Sequence, residues 1–311
     1  MRRLRTVFFG TSEFAVPSLR AVLSDHDVLA VITQPDRPVG RKLGLTPTPI
    51  KRRALDLGLK VHAPERLDDV TIGSIAQLRP ELLACASYGK ILPPSLLAID
   101  GMTALNVHPS LLPLYRGATP IQAALRDGVG RTGVSIIRMT SKMDAGPIAV
   151  AAQLGIEAAD TYGTLHEKLA ALGGRALAQA AALLAAGSLP QTDQDEAQAT
   201  YTRPLSKADA QLCFDRPAAA VVNFIRSLSP QPCAWTVLRS RRLKVLAGRA
   251  EGGLPSAAAG SLIELGAEGP LLAAGTGAVR LLRVIPEARR EMSGADFARM
   301  LRADGQTVRL A

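Results

Sequence analysis

TALNVHPSLLP, residues 103–113, opens as a short apolar run and closes with two prolines around Ser-Leu-Leu. Alternate side chains of an extended chain point to the same side, so Asn106 and His108 should share one face of a strand. Pro109 lacks the N–H that an interior strand needs, and the strand should therefore end there. The stretch predicts a strand whose last residues present an amide beside an imidazole.

Short apolar runs alternate with helical patterns on both sides of this strand. Seven strands are predicted in the first half, over residues 5–10, 28–32, 59–62, 81–87, 104–107, 134–139 and 148–154. One helix should begin near Pro17, and a Leu- and Ala-rich helix should end near Gly187. Strands interleaved with helices at this spacing predict an α/β domain over residues 1–188, with a mostly parallel sheet and helices on both faces.

The pattern of apolar and polar residues changes after this domain. SLPQTDQDEAQATYT, residues 188–202, is polar and lacks an apolar period, which predicts a linker. We place the limits of this linker at residues 189 and 208. Over residues 209–311, β-rich runs separated by Gly, Pro and Ser predict a small barrel of about five strands, consistent with an oligonucleotide-binding (OB-like) fold. These runs are 235–238, 243–246, 260–265, 271–274 and 279–284.

Composition narrows the class of protein. The chain has 311 residues, 47% of them hydrophobic, which suits one large domain or two moderate ones. No apolar run reaches membrane-spanning length and the N-terminus lacks the apolar core of a signal peptide, so we expect a cytoplasmic protein. Cys85, Cys213 and Cys233 are far apart and odd in number, and we expect buried thiols rather than disulfides or zinc ligands.

Positive charge is concentrated in two regions. Of the net +10, residues 1–53 hold ten Lys/Arg against four Asp/Glu, and residues 209–311 hold fourteen against nine. Residues 37–53 hold six basic residues and no acid. Two separated basic regions favour a large polyanion as partner. Codon bias toward Arg is the competing explanation, because basic composition alone predicts nucleic-acid binding weakly.

One constellation of side chains suits acyl transfer. KMDAG, residues 142–146, follows the strand over 134–139, and we expect Asp144 at the same sheet edge as Asn106 and His108. An amide can donate to an oxyanion, an imidazole can move a proton, and a carboxylate can orient the imidazole. A structural His–Asn pair is the alternative. Two metal ligands without a third support a metal site poorly, and Gly10 alone is no dinucleotide fingerprint.

Longer stretches carry a resemblance to a family. LNVHPSLLPLYRGATPI (105–121), with ASYGKILP (86–93) and KMDAG (142–146), resembles the formyltransferases that use 10-formyltetrahydrofolate. Four further stretches resemble the branch of that family whose acceptor is initiator methionyl-tRNA, and the resemblance covers essentially the whole chain. They are FFGTSEFAVPSL (8–19), TQPDRPVGRKLGLTPTPIK (33–51), PLSKADA (204–210) and SPQPCAW (229–235).

The resemblance implies a fold, a cosubstrate and site residues. It implies a Rossmann-like formyltransferase domain, an OB-like tRNA-binding domain, and direct amine attack on 10-formyltetrahydrofolate without a metal. We expect a monomer, because an exposed tRNA-sized face leaves no obvious patch for self-association. The family's catalytic residues fall on Asn106, His108 and Asp144. Its folate contacts fall on Tyr88, Gly89, Ile91, Ser110, Leu111, Leu112 and Pro113. The loop over 35–49 and its flank would contact tRNA through Arg37, Arg41, Lys42 and Lys51.

Departures and alternatives remain. Leu114, Pro147 and Gln231 stand where the family often has a basic, an acidic and a Trp residue, which bears on affinity and packing rather than on chemistry. One rival is a related enzyme that formylates a small amine or hydrolyses formyltetrahydrofolate; the basic loop argues against it. Another is an RNA-binding protein that has lost activity, against which the intact Asn106, His108 and Asp144 argue.

Overall fold

The computed structural model describes residues 2–39, 44–252 and 257–303. The chain divides into two compact units. The first consists of Met1–Gly117, Arg131–Gly155 and His166–Thr202, and the second of Ala118–Gly130, Ile156–Leu165 and Arg203–Ala311. The chain therefore leaves the first unit and returns to it twice. The segment predicted as a linker is shared, since residues up to Thr202 belong to the first unit.

The first unit holds eleven described strands, whose positions match the seven predicted ones and add four short strands. They are β1 (Arg5–Gly10), β2 (Asp27–Ile32), β3 (Arg37–Val39), β4 (Gly44–Thr46), β5 (Val61–His62), β6 (Leu82–Ala86), β7 (Thr103–His108), β8 (Arg116–Gly117), β9 (Arg131–Arg138), β10 (Ile148–Gly155) and β11 (Tyr201–Thr202). Between β1 and β11 the chain forms the helices α1 (Val16–Asp25), α2 (Pro49–Asp56), α3 (Asp69–Gln77), α4 (Pro94–Leu97), α5 (Pro120–Asp127) and α6 (Tyr162–Ala185).

The main sheet confirms the mostly parallel architecture. Its order is β10-β9-β7-β6-β1-β2-β5, and the pairs from β7 through β6, β1 and β2 to β5 are all parallel. At the other end, β9 runs antiparallel to β7 and β10 antiparallel to β9. The expectation that the strand over 134–139 ends at the same edge as β7 is therefore wrong: Arg138 lies opposite Leu105, and Ser135 lies opposite His108.

Both faces of this sheet are covered by helices, as predicted. On one face, Val7, Leu83 and Ala104 form an apolar cluster with residues of α3 and α4. On the other face, Val107 and Val134 lie against Gly173 of α6, where a Cβ would meet the Val107 side chain at 2.7 Å. Burial on both faces explains why the central strands have nearly continuous apolar sequences. Asn106 is two residues after Ala104 and so continues the face of α3 and α4.

The second unit contains an antiparallel sheet in the C-terminal region, where β-rich runs are predicted. Its strands are β12 (Ala234–Leu238), β13 (Arg241–Glu251), β14 (Leu262–Leu265), β15 (Pro270–Ala273), β16 (Ala278–Pro286) and β17 (Met292–Ser293), and its helices are α7 (Ala218–Leu228) and α8 (Gly294–Ala303). The five longer strands follow the order β12-β13-β16-β15-β14, and β17 pairs with β16. Its core joins residues of α7 and α8 to the sheet, including Val221, Ile225, Leu243 and Phe297.

Helix α5 belongs to this second unit although its sequence lies between two strands of the first. It packs against α7 and buries Ile121, Ala124 and Leu125. The guanidinium of Arg126 lies 4.9 Å from the Phe224 ring centroid, and its Nη2 donates to the carbonyl of Asp209. Aromatic and charged contacts thus complement an apolar helix pair.

The thiols differ in exposure. Cys85 and Cys233 are buried as expected, whereas Cys213 is exposed, which corrects the expectation for that residue. Cys213 follows buried Leu212 and precedes buried Phe214, so alternation along an extended segment turns its side chain outward. In the described ranges, no helix combines the length and apolarity needed to cross a membrane.

Candidate active site

The end of β7 places Asn106 and His108 on one face of the sheet. Asn106 pairs in register with Cys85 of β6 and Ile137 of β9. His108 is buried, with 3% of its surface exposed, while Asn106 is half-buried. Within the described ranges, the Asn106 carboxamide makes no hydrogen bond. Its N–H groups are therefore available to a ligand.

The His108 ring is held on two sides. Its Nε2 lies 3.0 Å from the carbonyl oxygen of Tyr115. A carbonyl can only accept, so Nε2 carries a hydrogen and donates it. Nδ1 faces Asp144, with 3.6 Å between Nδ1 and Oδ2. Because Tyr115 occupies Nε2, Nδ1 is the ring atom available for proton transfer.

Asp144 reaches His108 through a returning loop, which we call the Asp144 loop (residues 139–147). β9 leaves the sheet opposite Leu105, three residues before His108 on β7, a separation of about 10 Å along a strand. The loop turns back over this distance. Asp144 has a left-handed backbone (φ 49°), and Gly117 N–H donates to its Oδ2 at 2.8 Å. The predicted convergence of His108 and Asp144 occurs, but by this loop rather than by a shared strand edge.

Asp144 also influences the strand beneath it. Burial raises the pKa of the Cys85 thiol to about 12, and the negative charge of Asp144 contributes to the rise. Cys85 is the β6 neighbour of Asn106, so the carboxylate of Asp144 acts on the same face as Asn106 and His108. This face gathers an amide, an imidazole and a carboxylate.

A second layer of polar residues supports the site. Arg116 is 1% exposed, and its guanidinium bonds to Gln194, Glu196 and the hydroxyl of Tyr201. Gln194 in turn donates to the carbonyls of Asp144 and Gly146. Sequence reasoning missed Gln194, because it lies in a polar stretch that reads as a linker. A Gln two residues before a Glu carries no signal of this role.

The segment after His108 is held by hydrogen bonds within itself and to β9. Ser110 is fully buried and donates through Oγ to the carbonyl of Leu114 at 2.6 Å. Ser135 of β9 donates to the carbonyl of Ser110 at 2.8 Å and accepts from the N–H of Leu112 at 3.0 Å. The predicted folate-contacting residues Ser110 to Pro113 are thus fixed two to five residues after His108.

The predicted contacts after β6 lie at the same sheet edge, because β6 and β7 are parallel neighbours. Tyr88 is buried, and its carbonyl accepts from Thr11 Oγ1 and Gln34 Nε2, each at 2.8 Å. Burial raises the pKa of the Tyr88 hydroxyl to about 12. Gly89 has a left-handed backbone (φ 80°), and Ile91 is 81% exposed. Of these residues, Ile91 offers an exposed apolar side chain.

The predicted tRNA contacts lie on and after a hairpin. β3 and β4 pair antiparallel, with Arg37 opposite Thr46, and Arg37 is exposed. Lys51 on α2 forms an ion pair with Asp36, with Nζ 2.7 Å from Oδ2. Arg41 and Lys42 lie outside the described residues. Of the two described residues, Arg37 has the clearer access to a phosphate.

No group of three or more His, Cys, Asp or Glu side chains in the described ranges has an arrangement that could hold a metal ion. Of the three departures from the family pattern, Leu114 is 42% exposed and Gln231 is exposed, while the carbonyl of Pro147 accepts from Arg138 N–H.

Comparison with protein families extends these findings. The profile of the formyl transferase family matches residues 4–181, and that of the formyl transferase C-terminal domain matches residues 204–302. A methionyl-tRNA formyltransferase of Stenotrophomonas maltophilia is 40% identical over 296 residues, covering 94% of this chain and 96% of that protein.

Two solved structures share the fold at low sequence identity. An N-formyltransferase from Helicobacter canadensis, in complex with folinic acid and dTDP-3-aminofucose, has a TM-score of 0.69 at 16% identity, covering 89% of this chain and 99% of that one. HypX from Aquifex aeolicus has a TM-score of 0.66 at 13% identity over 96% of this chain. The chain spans about half the length of that protein, 48%.

Proposed function

This chain belongs to the formyl transferase family, and we propose that it transfers the formyl group of 10-formyltetrahydrofolate to the α-amino group of initiator methionyl-tRNA, for translation initiation. The acceptor is inferred from relatives that match nearly the full chain and carry that name. The observation that carries the chemistry is the pairing of His108 Nδ1 with Asp144 beside an Asn106 amide that has no partner in the described ranges.

The reaction begins with attack of the neutral amine on the formyl carbon. A free α-amino group has a pKa of about 8, which leaves a usable neutral fraction near neutral pH. As the new C–N bond forms, the carbonyl π electrons move to the formyl oxygen. Asn106 N–H groups donate to that oxyanion, while His108 Nδ1, which has a free lone pair because the ring hydrogen is on Nε2, accepts the proton that the amine loses. Such preorganised donors stabilise a developing charge more than they stabilise the substrate.

Collapse of the tetrahedral intermediate completes the transfer. The oxyanion restores its double bond, and the bond between the formyl carbon and folate N10 breaks. The amine must lose one proton and N10 must gain one, so the proton balance is closed. His108 at Nδ1, oriented by Asp144, carries that proton, either directly or through a water held by Asp144. No covalent enzyme intermediate is needed.

Folate and tRNA would occupy different surfaces. The segments 86–93 and 110–113 would bind the folate at the carboxyl edge of β6 and β7, with Ile91 as an exposed apolar contact. Arg37, Arg41, Lys42 and Lys51 would contact tRNA phosphates, helped by the net +5 of residues 209–311. The antiparallel C-terminal sheet would serve as an OB-like RNA-binding domain. A cytoplasmic monomer suits this role.

The deciding assay measures formyl transfer from 10-formyltetrahydrofolate to methionyl-tRNA, to free small amines and to water. We expect methionyl-tRNA to be preferred by orders of magnitude. Comparable rates with an aminosugar nucleotide would favour the small-substrate rival, and release of formate would favour a hydrolase. Asn106→Ala should lower kcat about 100-fold, the usual effect of losing one oxyanion donor. Near-normal turnover of that variant would show that Asn106 plays no such part.

A further inference from the structure

Gln194 connects the polar segment before β11 to the Asp144 loop. Its Nε2 donates to the carbonyl oxygen of Asp144 at 2.8 Å and to that of Gly146 at 2.7 Å. Its Oε1 accepts from Nε of Arg116 at 3.1 Å and from Nη2 at 2.8 Å. A carboxamide has two N–H donors and two oxygen lone pairs, so every one is used. A side chain on a solvated linker would leave them to water.

Arg116 provides a fixed anchor for Gln194. Its buried guanidinium bonds in two places to Glu196 (2.9 and 2.8 Å), with 3.1 Å to the Tyr201 hydroxyl. Its backbone N–H donates to Thr200, and β8 pairs with β11. Charge-assisted bonds hold such a group more firmly than neutral ones. The Oε1 of Gln194 is thus held in place, and its N–H groups point to the loop.

The Asp144 loop needs such support. Asp144 is a non-glycine residue in the left-handed region, which is unfavourable unless the surroundings hold it. Gly117 N–H fixes the carboxylate, while Gln194 fixes the main chain on both sides of Ala145. The distance from Asp144 to His108 depends on both.

We infer that Gln194 is a positioning residue for the transfer reaction: it joins Arg116 to the Asp144 loop and thereby sets the place of the Asp144 carboxylate at His108 Nδ1. The inference rests on the proposed function, because it requires Asp144 to take part in the chemistry. It assigns to the polar segment over 192–202 a part in catalysis rather than only in connection.

Gln194→Glu removes the hydrogen bonds that Gln194 donates to the Asp144 loop but keeps those that it accepts from Arg116. The variant side chain has the same length and still accepts from Arg116, but it has no N–H for the carbonyls of Asp144 and Gly146. It brings a negative oxygen against both. Gln198→Glu is the matched control, because it introduces the same charge in the same segment at an exposed residue whose side chain bonds only to Asp195 in the described ranges.

We expect Gln194→Glu to lower kcat about 10- to 100-fold, as displacement by about 1 Å does, with the KM for both substrates changed less than about threefold. The pH profile of kcat should change as well, which loss of stability alone would not cause. Gln198→Glu should stay within about twofold of the parent protein. If Gln194→Glu fails to fold by circular dichroism, Gln194→Met is measured against the same criteria.

Asp144→Asn separates failure of this inference from failure of the proposed function. If Asp144→Asn retains parental activity, the assignment of Asp144 is wrong and the inference falls with it. If Asp144→Asn is inactive while folded Gln194→Glu and Gln194→Met keep the parental kcat and pH profile, only the positioning role of Gln194 is refuted. If the role is correct, adding Gln194→Glu to Asp144→Asn causes no further loss.

Discussion

Gly146 offers the sharpest test of how tightly the Asp144 loop is held. A Cβ at this position would lie 1.8 Å from the carbonyl oxygen of Arg138 and 3.3 Å from the Thr140 side chain. Arg138 is the last residue of β9 and lies opposite Leu105 of β7, and its N–H donates to the carbonyl of Pro147, so its own carbonyl cannot move freely. In Gly146→Ala the loop itself must move.

The size of the movement follows from the distance. Real Cβ atoms essentially never lie closer than 3.0 Å to such an atom, so the contact must open from 1.8 to at least 3.0 Å, or about 1.2 Å. Gly146 is two residues from Asp144 and shares the Gln194 side chain with it. Displacing a catalytic group by about 1 Å reduces rates about 100-fold. Overpacking of this kind also costs about 1–3 kcal/mol of stability.

Gly155→Ala is the matched control, because Gly155 ends β10 and a Cβ there meets nothing within 4 Å. We expect Gly146→Ala to lower kcat about 100-fold in the formyl-transfer assay and to lower the melting temperature by several degrees. Gly155→Ala should leave kcat within about twofold of the parent. A Gly146→Ala variant with parental kcat and melting temperature would refute the tight placement of this loop.

Three further predictions follow from charge and burial. Activity on methionyl-tRNA should fall as salt rises from about 50 to 200 mM. Arg37→Ala should reduce the slope of log affinity against log salt concentration by about 1, whereas Lys51→Ala should reduce it less, because Lys51 pairs with Asp36. Equal slopes for the two variants would contradict this difference. Of the three thiols, Cys213 alone should react with a disulfide reagent in the native protein, because Cys213 is exposed while burial raises the pKa of Cys85 to about 12 and that of Cys233 above its ordinary value. All three thiols should react after denaturation. A second thiol that reacts fast in the native protein would be inconsistent with the fold. Burial lowers the pKa of His26 below 6.5, and its Nδ1 accepts from Leu4 N–H, so the folded chain binds fewer protons than the unfolded one. This contribution to the free energy of unfolding is fully present above pH 6.5 and is lost as the pH falls below it. Urea unfolding at several pH values should therefore show a smaller decrease in the free energy of unfolding at low pH for His26→Asn than for the parent protein.

Much of the fold could be predicted from sequence because apolar runs and turn residues mark strands directly. β1 was predicted with its observed bounds, and β7 within one residue at each end. The direction of β9 was not predictable in the same way, since an apolar run reads alike in parallel and antiparallel pairs. Short elements such as β8 and β11 have two residues each and no periodicity to read.

Candidate site residues could be grouped from the sequence where they lie close together or within a long motif. Asn106 and His108 are two residues apart, so strand alternation alone related them. The prediction of Asp144 near them assumes that β9 ends at the same sheet edge as β7. β9 is instead antiparallel to β7, and Asp144 reaches His108 through the Asp144 loop. Gln194 is 78 residues from Arg116, and a contact over that distance leaves no trace in a single sequence.

The position of helix α5 in the sequence has a consequence for the exchange of domains between related proteins. Its residues stand between β8 and β9, inside the stretch that matches the formyl transferase profile, yet its buried face packs against α7. A recombination event at the polar segment before β11 would bring in a new α7 but keep the old α5. We therefore expect an exchange of C-terminal halves between relatives to give a stable protein only where the surfaces of α5 and α7 fit each other.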